Sequence, residues 1–250
     1  MWKNLVEAVL ELIYPPRRAC PLCGGGSPDA SVCPACERLL EGYAGETICP
    51  VCGSFGKPGD PPGRKTNNYC FYCRGGTRPF DLARSVGPYE GPLRDAVHRF
   101  KYRGIKTLAR PLGALMAEAA GRERAFARTQ ALVPVPLFHR RERQRGFNQA
   151  LLLARELEGL LGVPVLERAV VKIRETPPQA ELPGRERLHN LSGSFVVADA
   201  RPVEGKVITV VDDVFTTGTT ASIISQILRQ AGARQILVLT FAGTRRYGEN

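Results

Sequence analysis

Val207-Ile208-Thr209-Val210-Val211-Asp212-Asp213-Val214-Phe215-Thr216-Thr217-Gly218-Thr219-Thr220-Ala221 decides how the rest of the chain is read. An apolar strand (207–211) runs into two adjacent acids, and a hydroxyl-rich turn around Gly218 follows. Beyond it, 221–230 predicts a helix ended by Gly232, and 236–241 a further strand. Such a strand-turn-helix-strand unit places a ligand site at the carboxyl end of the first strand, facing the helix N-terminus. Free backbone N–H groups and the helix dipole favour a phosphate there, and threonine hydroxyls add donors. Two carboxylates would repel a phosphate directly. They therefore suit sugar hydroxyls or the hydration shell of a metal. Neither Gly-x-x-x-x-Gly-Lys-Ser/Thr nor a strand followed by Gly-x-Gly-x-x-Gly occurs, which excludes a P-loop and argues against a dinucleotide fold.

Working outward, 131–137 is an apolar run of strand character, and 149–161 predicts a helix capped by Asn148 and ended by Gly162. Residues 163–173 are rich in β-branched side chains. The polar stretch 174–194 is longer than an ordinary connection, which marks it as mobile or functional. His139-Arg140-Arg141-Glu142-Arg143-Gln144-Arg145 is the densest positive cluster. It would serve a pyrophosphate or a nucleic-acid backbone through planar, bidentate guanidinium contacts, or else form a solvated surface loop. Lys101-Tyr102-Arg103 precedes Gly104, and a helix is expected soon after. This basic-aromatic pair could stack on a base or ribose, or pack on the N-terminal module. His98 and His189 have no partner at metal-binding spacing.

The eight cysteines form four Cys-x-x-Cys pairs: Cys20/Cys23, Cys33/Cys36, Cys49/Cys52 and Cys70/Cys73. Two such turns complete a tetrahedral four-sulfur site, and a site with no open position is structural. Seventeen residues separate Cys52 from Cys70, the interval of a zinc ribbon. That favours Cys49, Cys52, Cys70 and Cys73 as one site and Cys20, Cys23, Cys33 and Cys36 as the other, with an interleaved cross-brace still open.

Residues 74–79 read as a boundary between 1–76, an N-terminal helix with the double ribbon, and an α/β domain over 77–250. The formal net charge is +11, of which residues 1–76 carry +1. An acidic ligand is therefore expected on the second domain. Leu5, Val6, Val9, Leu10 and Ile13 recur at helical spacing, interrupted by Glu7 and Glu11. That pattern predicts a short docking helix rather than a secretory leader. No apolar run approaches the ~20 residues of a membrane span. Paired cysteines used for metal fit a cytoplasmic chain.

Residues 210–220 resemble the PRPP-binding signature of type I phosphoribosyltransferases. The resemblance implies a parallel sheet flanked by helices, with Thr216, Thr217, Gly218, Thr219 and Thr220 around the 5′-phosphate and Asp212 and Asp213 on the ribose hydroxyls. It implies Mg²⁺ held largely by PRPP itself, and a pyrophosphate loop around Val135, Pro136 and Leu137; Arg140, Arg141, Arg143, Arg145 and Lys101, read from their own charge, are the further candidate phosphate or nucleic-acid contacts. Thr216 stands where 6-oxopurine enzymes carry an aspartate, which argues against hypoxanthine or guanine. Together with residues 143–149, the four-pair head and Phe100-Lys101-Tyr102, the chain resembles the ComF (ComFC) family. Arg174, Thr176, Gln179, Leu182, Arg187 and Asn190 also fit that family, in the place of a loop closing over PRPP. Expected partners are PRPP and, from the competence link, single-stranded DNA and a DNA-uptake helicase. Transferase turnover on an unidentified acceptor and a catalytically silent PRPP-sensing or DNA-binding module both remain open at this point.

Overall fold

A computed structural model describes residues 19–27, 29–56, 69–76, 78–175 and 193–245. The expected N-terminal helix, the family motif within 176–190 and His189 lie outside these residues.

Among the described residues, four parallel strands form the central sheet: β1 (Leu82–Pro88), β2 (Ala131–Pro134), β5 (Val207–Phe215) and β6 (Gln235–Gly243), in the order β1-β6-β5-β2. β5 and β6 are apolar on both faces, as strands covered from two sides must be. Leu237, Leu239 and Phe241 enter one core while Ile236 and Val238 enter the other, following the two-residue alternation of a strand.

Helices α3 (Gly91–Tyr102), α4 (Ala109–Gly121) and α6 (Gln149–Leu161) fill the first face. Leu93, Ala96, Val97 and Phe100 of α3 share one helical stripe, as do Leu112 and Met116 of α4. Helix α7 (Thr219–Gln230) covers the second face through Ala221, Ile224 and Leu228. A separate antiparallel pair, β3 (Val170–Lys172) with β4 (Phe195–Val197), packs there too.

Several boundaries differ from expectation. β5 continues through both acids to Phe215, because β6 runs alongside and pairs Asp212 with Thr240 and Phe215 with Gly243. β2 stops at Pro134 rather than 137, since prolines 134 and 136 cannot donate to a ladder. Only residues 170–172 of the β-branched stretch form a strand. The basic cluster folds as a short helix, α5 (His139–Arg145), rather than a loop. Helix α6 keeps its expected ends: Asn148 Oδ1 accepts from the N–H groups of Ala150 and Leu151, and Gly162 closes it.

The cysteine-rich module lies against edge strand β1. Helices α1 (Pro34–Ala44) and α2 (Phe71–Arg74) each begin at the second pair of a four-cysteine set, with Cys33 and Cys70 as their N-caps. Cys20, Leu22, Cys36 and Tyr43 join the first core, and Cys49, Cys52 and Cys73 the second. The Ala83 N–H of β1 donates to the Val51 carbonyl at 2.8 Å. At Gly87 a Cβ would stand 2.8 Å from the Tyr43 ring and 2.7 Å from Leu93, so only glycine admits this approach.

Candidate functional site: an acid pair, a glycine turn and two cysteine quartets

The end of β5 delivers Asp212 and Asp213 beside the turn that starts α7. Gly218, at φ +73°, is the N-cap of α7, and the Thr217 and Thr219 hydroxyls meet at 2.7 Å across it. The turn is held from behind: Thr244 donates its N–H to the Phe215 carbonyl and its hydroxyl to the Thr216 carbonyl. Asp212, Thr216, Gly218, Thr219 and Thr220 line one cleft together with Val135. Pro136 and Leu137 follow Val135, half-buried, outside that lining. Asn148, besides capping α6, donates from Nδ2 to the Val135 carbonyl at 3.1 Å and so fixes the segment after β2.

A Cβ on Gly218 would sit 2.5 Å from Phe215 Cζ, and the left-handed backbone adds strain of its own. We expect Gly218→Ala to cost at least ~1–2 kcal/mol from the backbone alone. Thermal unfolding checks this, and an unchanged Tm would show that the turn tolerates a side chain.

Lys101, in the last turn of α3, reaches the acids: its Nζ lies 2.8 Å from Asp213 Oδ2. Burial works against its charge, yet Asp213 and Asp212 together hold the Lys101 pKa above its ordinary value. Burial, and then the negative charge of Asp213, push the Asp212 carboxyl well above the usual carboxylate range. Arg145 feels the charge of Asp213; burial lowers its pKa and Asp213 works the other way, and its Cζ stands 5.8 Å from the Tyr102 ring centroid. Arg140 meets Glu175 at 3.6 Å, while Arg143 is exposed and Arg141 half-buried. Of the sequence candidates, then, Lys101 pairs with Asp213 and Arg145 feels its charge, whereas Arg140 pairs with Glu175 and Arg143 is exposed. Tyr102 packs against His98 rather than on the cysteine module.

Both four-cysteine groups are assembled in sequential order. The sulfurs of Cys20, Cys23, Cys33 and Cys36 lie within 4.8 Å of one another, as do those of Cys49, Cys52, Cys70 and Cys73. Each set joins a knuckle turn to a helix start; Gly24 N–H donates to the Cys20 carbonyl and Gly53 N–H to that of Cys49, both at 2.9 Å. Crowded thiols cannot all ionise alone. Burial and its neighbours raise the Cys36 pKa, and Cys49 and Cys70 raise that of Cys52. A divalent cation removes that conflict, and four sulfurs in a closed, mostly buried set suit structural zinc.

Arginines of the α/β domain grip both knuckles at the carbonyl after the first cysteine. Arg99 of α3 donates to Pro21 O at 2.6 Å and Leu22 O at 2.7 Å, and Arg84 of β1 to Pro50 O at 3.2 Å. At the other end of α3, Arg245 holds its N-cap residue Glu90 together with Glu46 and the Gly56 carbonyl of the module. Helix α3, which carries Lys101, is thus tied to the module at both ends. Sequence reasoning missed Thr244, which reaches back 28 residues to Thr216, and the pairing of Arg245 with Glu90 and Glu46, 155 and 199 residues away, because no local pattern links such positions.

Residues 9–74 match the family described as a double zinc ribbon domain. Competence protein F of Haemophilus influenzae is 30% identical over 211 residues, covering 83% of this chain and 88% of its own. The DNA utilization protein YhgH of Salmonella typhi is 33% identical over 211 residues with the same coverage. Among solved structures, the glutamine PRPP amidotransferase of Bacillus subtilis aligns with 52% of this chain and 25% of its own, at 25% identity and a TM-score of 0.35. On the near full-length likeness to the curated relatives, and with the double ribbon in place ahead of a parallel α/β sheet, the chain belongs to the ComF family.

Proposed function

We propose that the cleft at the end of β5 binds phosphoribosyl pyrophosphate with Mg²⁺. One observation carries this reading: an acid pair on the central strand adjoins a glycine turn that opens onto the N-terminus of a twelve-residue helix. Residues 216–220 would receive the 5′-phosphate on backbone N–H groups and hydroxyls, and Asp212 and Asp213 would accept from the ribose hydroxyls. Lys101 and Arg145, with the backbone after Val135, would face the pyrophosphate. Mg²⁺ arriving with the ligand supplies neutralisation of the diphosphate charge. In a transfer reaction, the acceptor's lone pair forms a bond to the anomeric carbon as the bond to pyrophosphate breaks, and the electron pair leaves with pyrophosphate. The chain contributes position and positive charge to that departure.

The test is calorimetric titration of the zinc-loaded protein with PRPP and Mg²⁺. Saturable binding near one site per chain is expected; no binding overturns the reading.

A second reading has its own observation: Arg140 and Arg143 are exposed on α5, on the domain that holds most of the net charge. The relatives are named as competence and DNA utilization proteins, which supports a surface for single-stranded DNA and a helicase partner in the cytoplasm, where thiols stay reduced to hold metal. DNA affinity should fall steeply with salt. Arg140→Ala with Arg143→Ala should flatten the log–log salt slope by about 1.4, at ~0.7 per strand phosphate released. An unchanged slope in a salt titration would place the strand elsewhere.

A further inference from the structure

Tyr102 ends helix α3 with 70% of its surface exposed, whereas Phe100, two residues earlier, is fully buried. The ring is nevertheless braced. His98 meets it edge-on at 5.3 Å and 61°, and Tyr89, just past the end of β1, stacks on His98 at 6.4 Å and 28°. Arg145 reaches it from α5, its guanidinium 5.8 Å from the ring centroid. The neighbouring residue Lys101 touches Asp213, so this aromatic row borders the acid pair rather than lying on a remote face.

We propose that Tyr102, backed by His98 and Tyr89 and flanked by Arg145, is a stacking platform for an unpaired nucleobase beside the Lys101–Asp213 pair. A held ring with a free surface presents a π face at little further entropic cost. A guanidinium beside it adds attraction for planar rings and for the phosphate such a ring brings. An apolar peptide or acyl chain would gain nothing from Arg145 or from the carboxylates behind it. The inference rests on the DNA and PRPP readings above for where the base comes from: a base on a single strand, or a free base positioned near the ribose.

The test compares a ten-residue oligothymidylate with an abasic strand of equal length and charge, by fluorescence anisotropy on the full, zinc-loaded chain. We expect the oligothymidylate to bind about tenfold more tightly, the effect of one stacked base. Tyr102→Ala should erase the difference and Tyr102→Phe, which keeps the ring, should preserve it. PRPP titration of Tyr102→Ala should match the parent protein, showing the acid pair intact. Displacement of the oligonucleotide by free uracil assigns the platform a free base, and failure of uracil to displace it assigns a base carried on a strand; each supports the platform. Equal binding of the two strands by the parent protein, or discrimination that survives Tyr102→Ala, overturns the platform alone. Binding of neither strand overturns the DNA reading as well.

Discussion

Replacing Asp212 and Asp213 together by asparagine is expected to weaken PRPP binding by on the order of 100-fold or more. A hydrogen bond to a charged group contributes about 1.5–3 kcal/mol. Two carboxylates lost together therefore remove about 3–6 kcal/mol, which calorimetry reads as at least two decades in Kd. The variant also disturbs the fold, because Lys101 loses its 2.8 Å partner where its side chain is only 21% exposed. Removing one member of a buried pair costs up to about 3–5 kcal/mol, less where water still reaches the pair as it does here. Two further variants separate the effects. Asp212→Asn alone leaves the Lys101–Asp213 bridge and should weaken binding with little loss of Tm. Adding Lys101→Met to Asp213→Asn should restore Tm without restoring the ligand. Full PRPP affinity in the double asparagine variant would remove the acids from the site.

The second large effect is expected at the sulfurs. Cys36→Ser should lower bound zinc from two per chain to one and reduce Tm by roughly 10 °C or more, since structural zinc contributes several kcal/mol and each is worth about 2–4 °C in a chain of this size. Cys20 and Cys36 are nearly inaccessible and belong to the core that also holds Leu93, Phe100 and Leu112. Loss of the metal is therefore loss of part of a core shared with the α/β domain. Metal analysis and thermal melting check the two halves of this expectation; two zincs retained, or an unmoved Tm, would show that the quartet is dispensable.

What could be read in advance was what the chain encodes locally. The 207–221 unit, the caps of α6 and the cysteine pairs each rest on neighbouring residues, and each is present, although β5 runs on to Phe215 and α7 starts at Thr219. The sequential pairing of the cysteines, which spacing favoured without excluding a cross-brace, is seen in which sulfurs lie together. Lys101 could be read as a candidate phosphate contact, but not as the partner of Asp213, because that ion pair depends on how α3 lies across the sheet. The arginine grips on the two knuckles were invisible for the same reason. They join residues of high sequence separation, and arginine is common throughout this chain.

The position of the cysteine module on β1 has a consequence for solubility. An edge strand with free N–H and C=O groups is a template for pairing with another chain. Here the knuckle from Cys49 to Cys52 occupies part of that template, with the Val51 carbonyl taking the Ala83 N–H and Gly53 lying against the Ala83 carbonyl. Stripping the metal loosens the knuckle and uncovers the strand together with the apolar residues packed on it. Chelated protein should accordingly self-associate through its sheets, so that the metals act as guards against aggregation as well as staples of the fold.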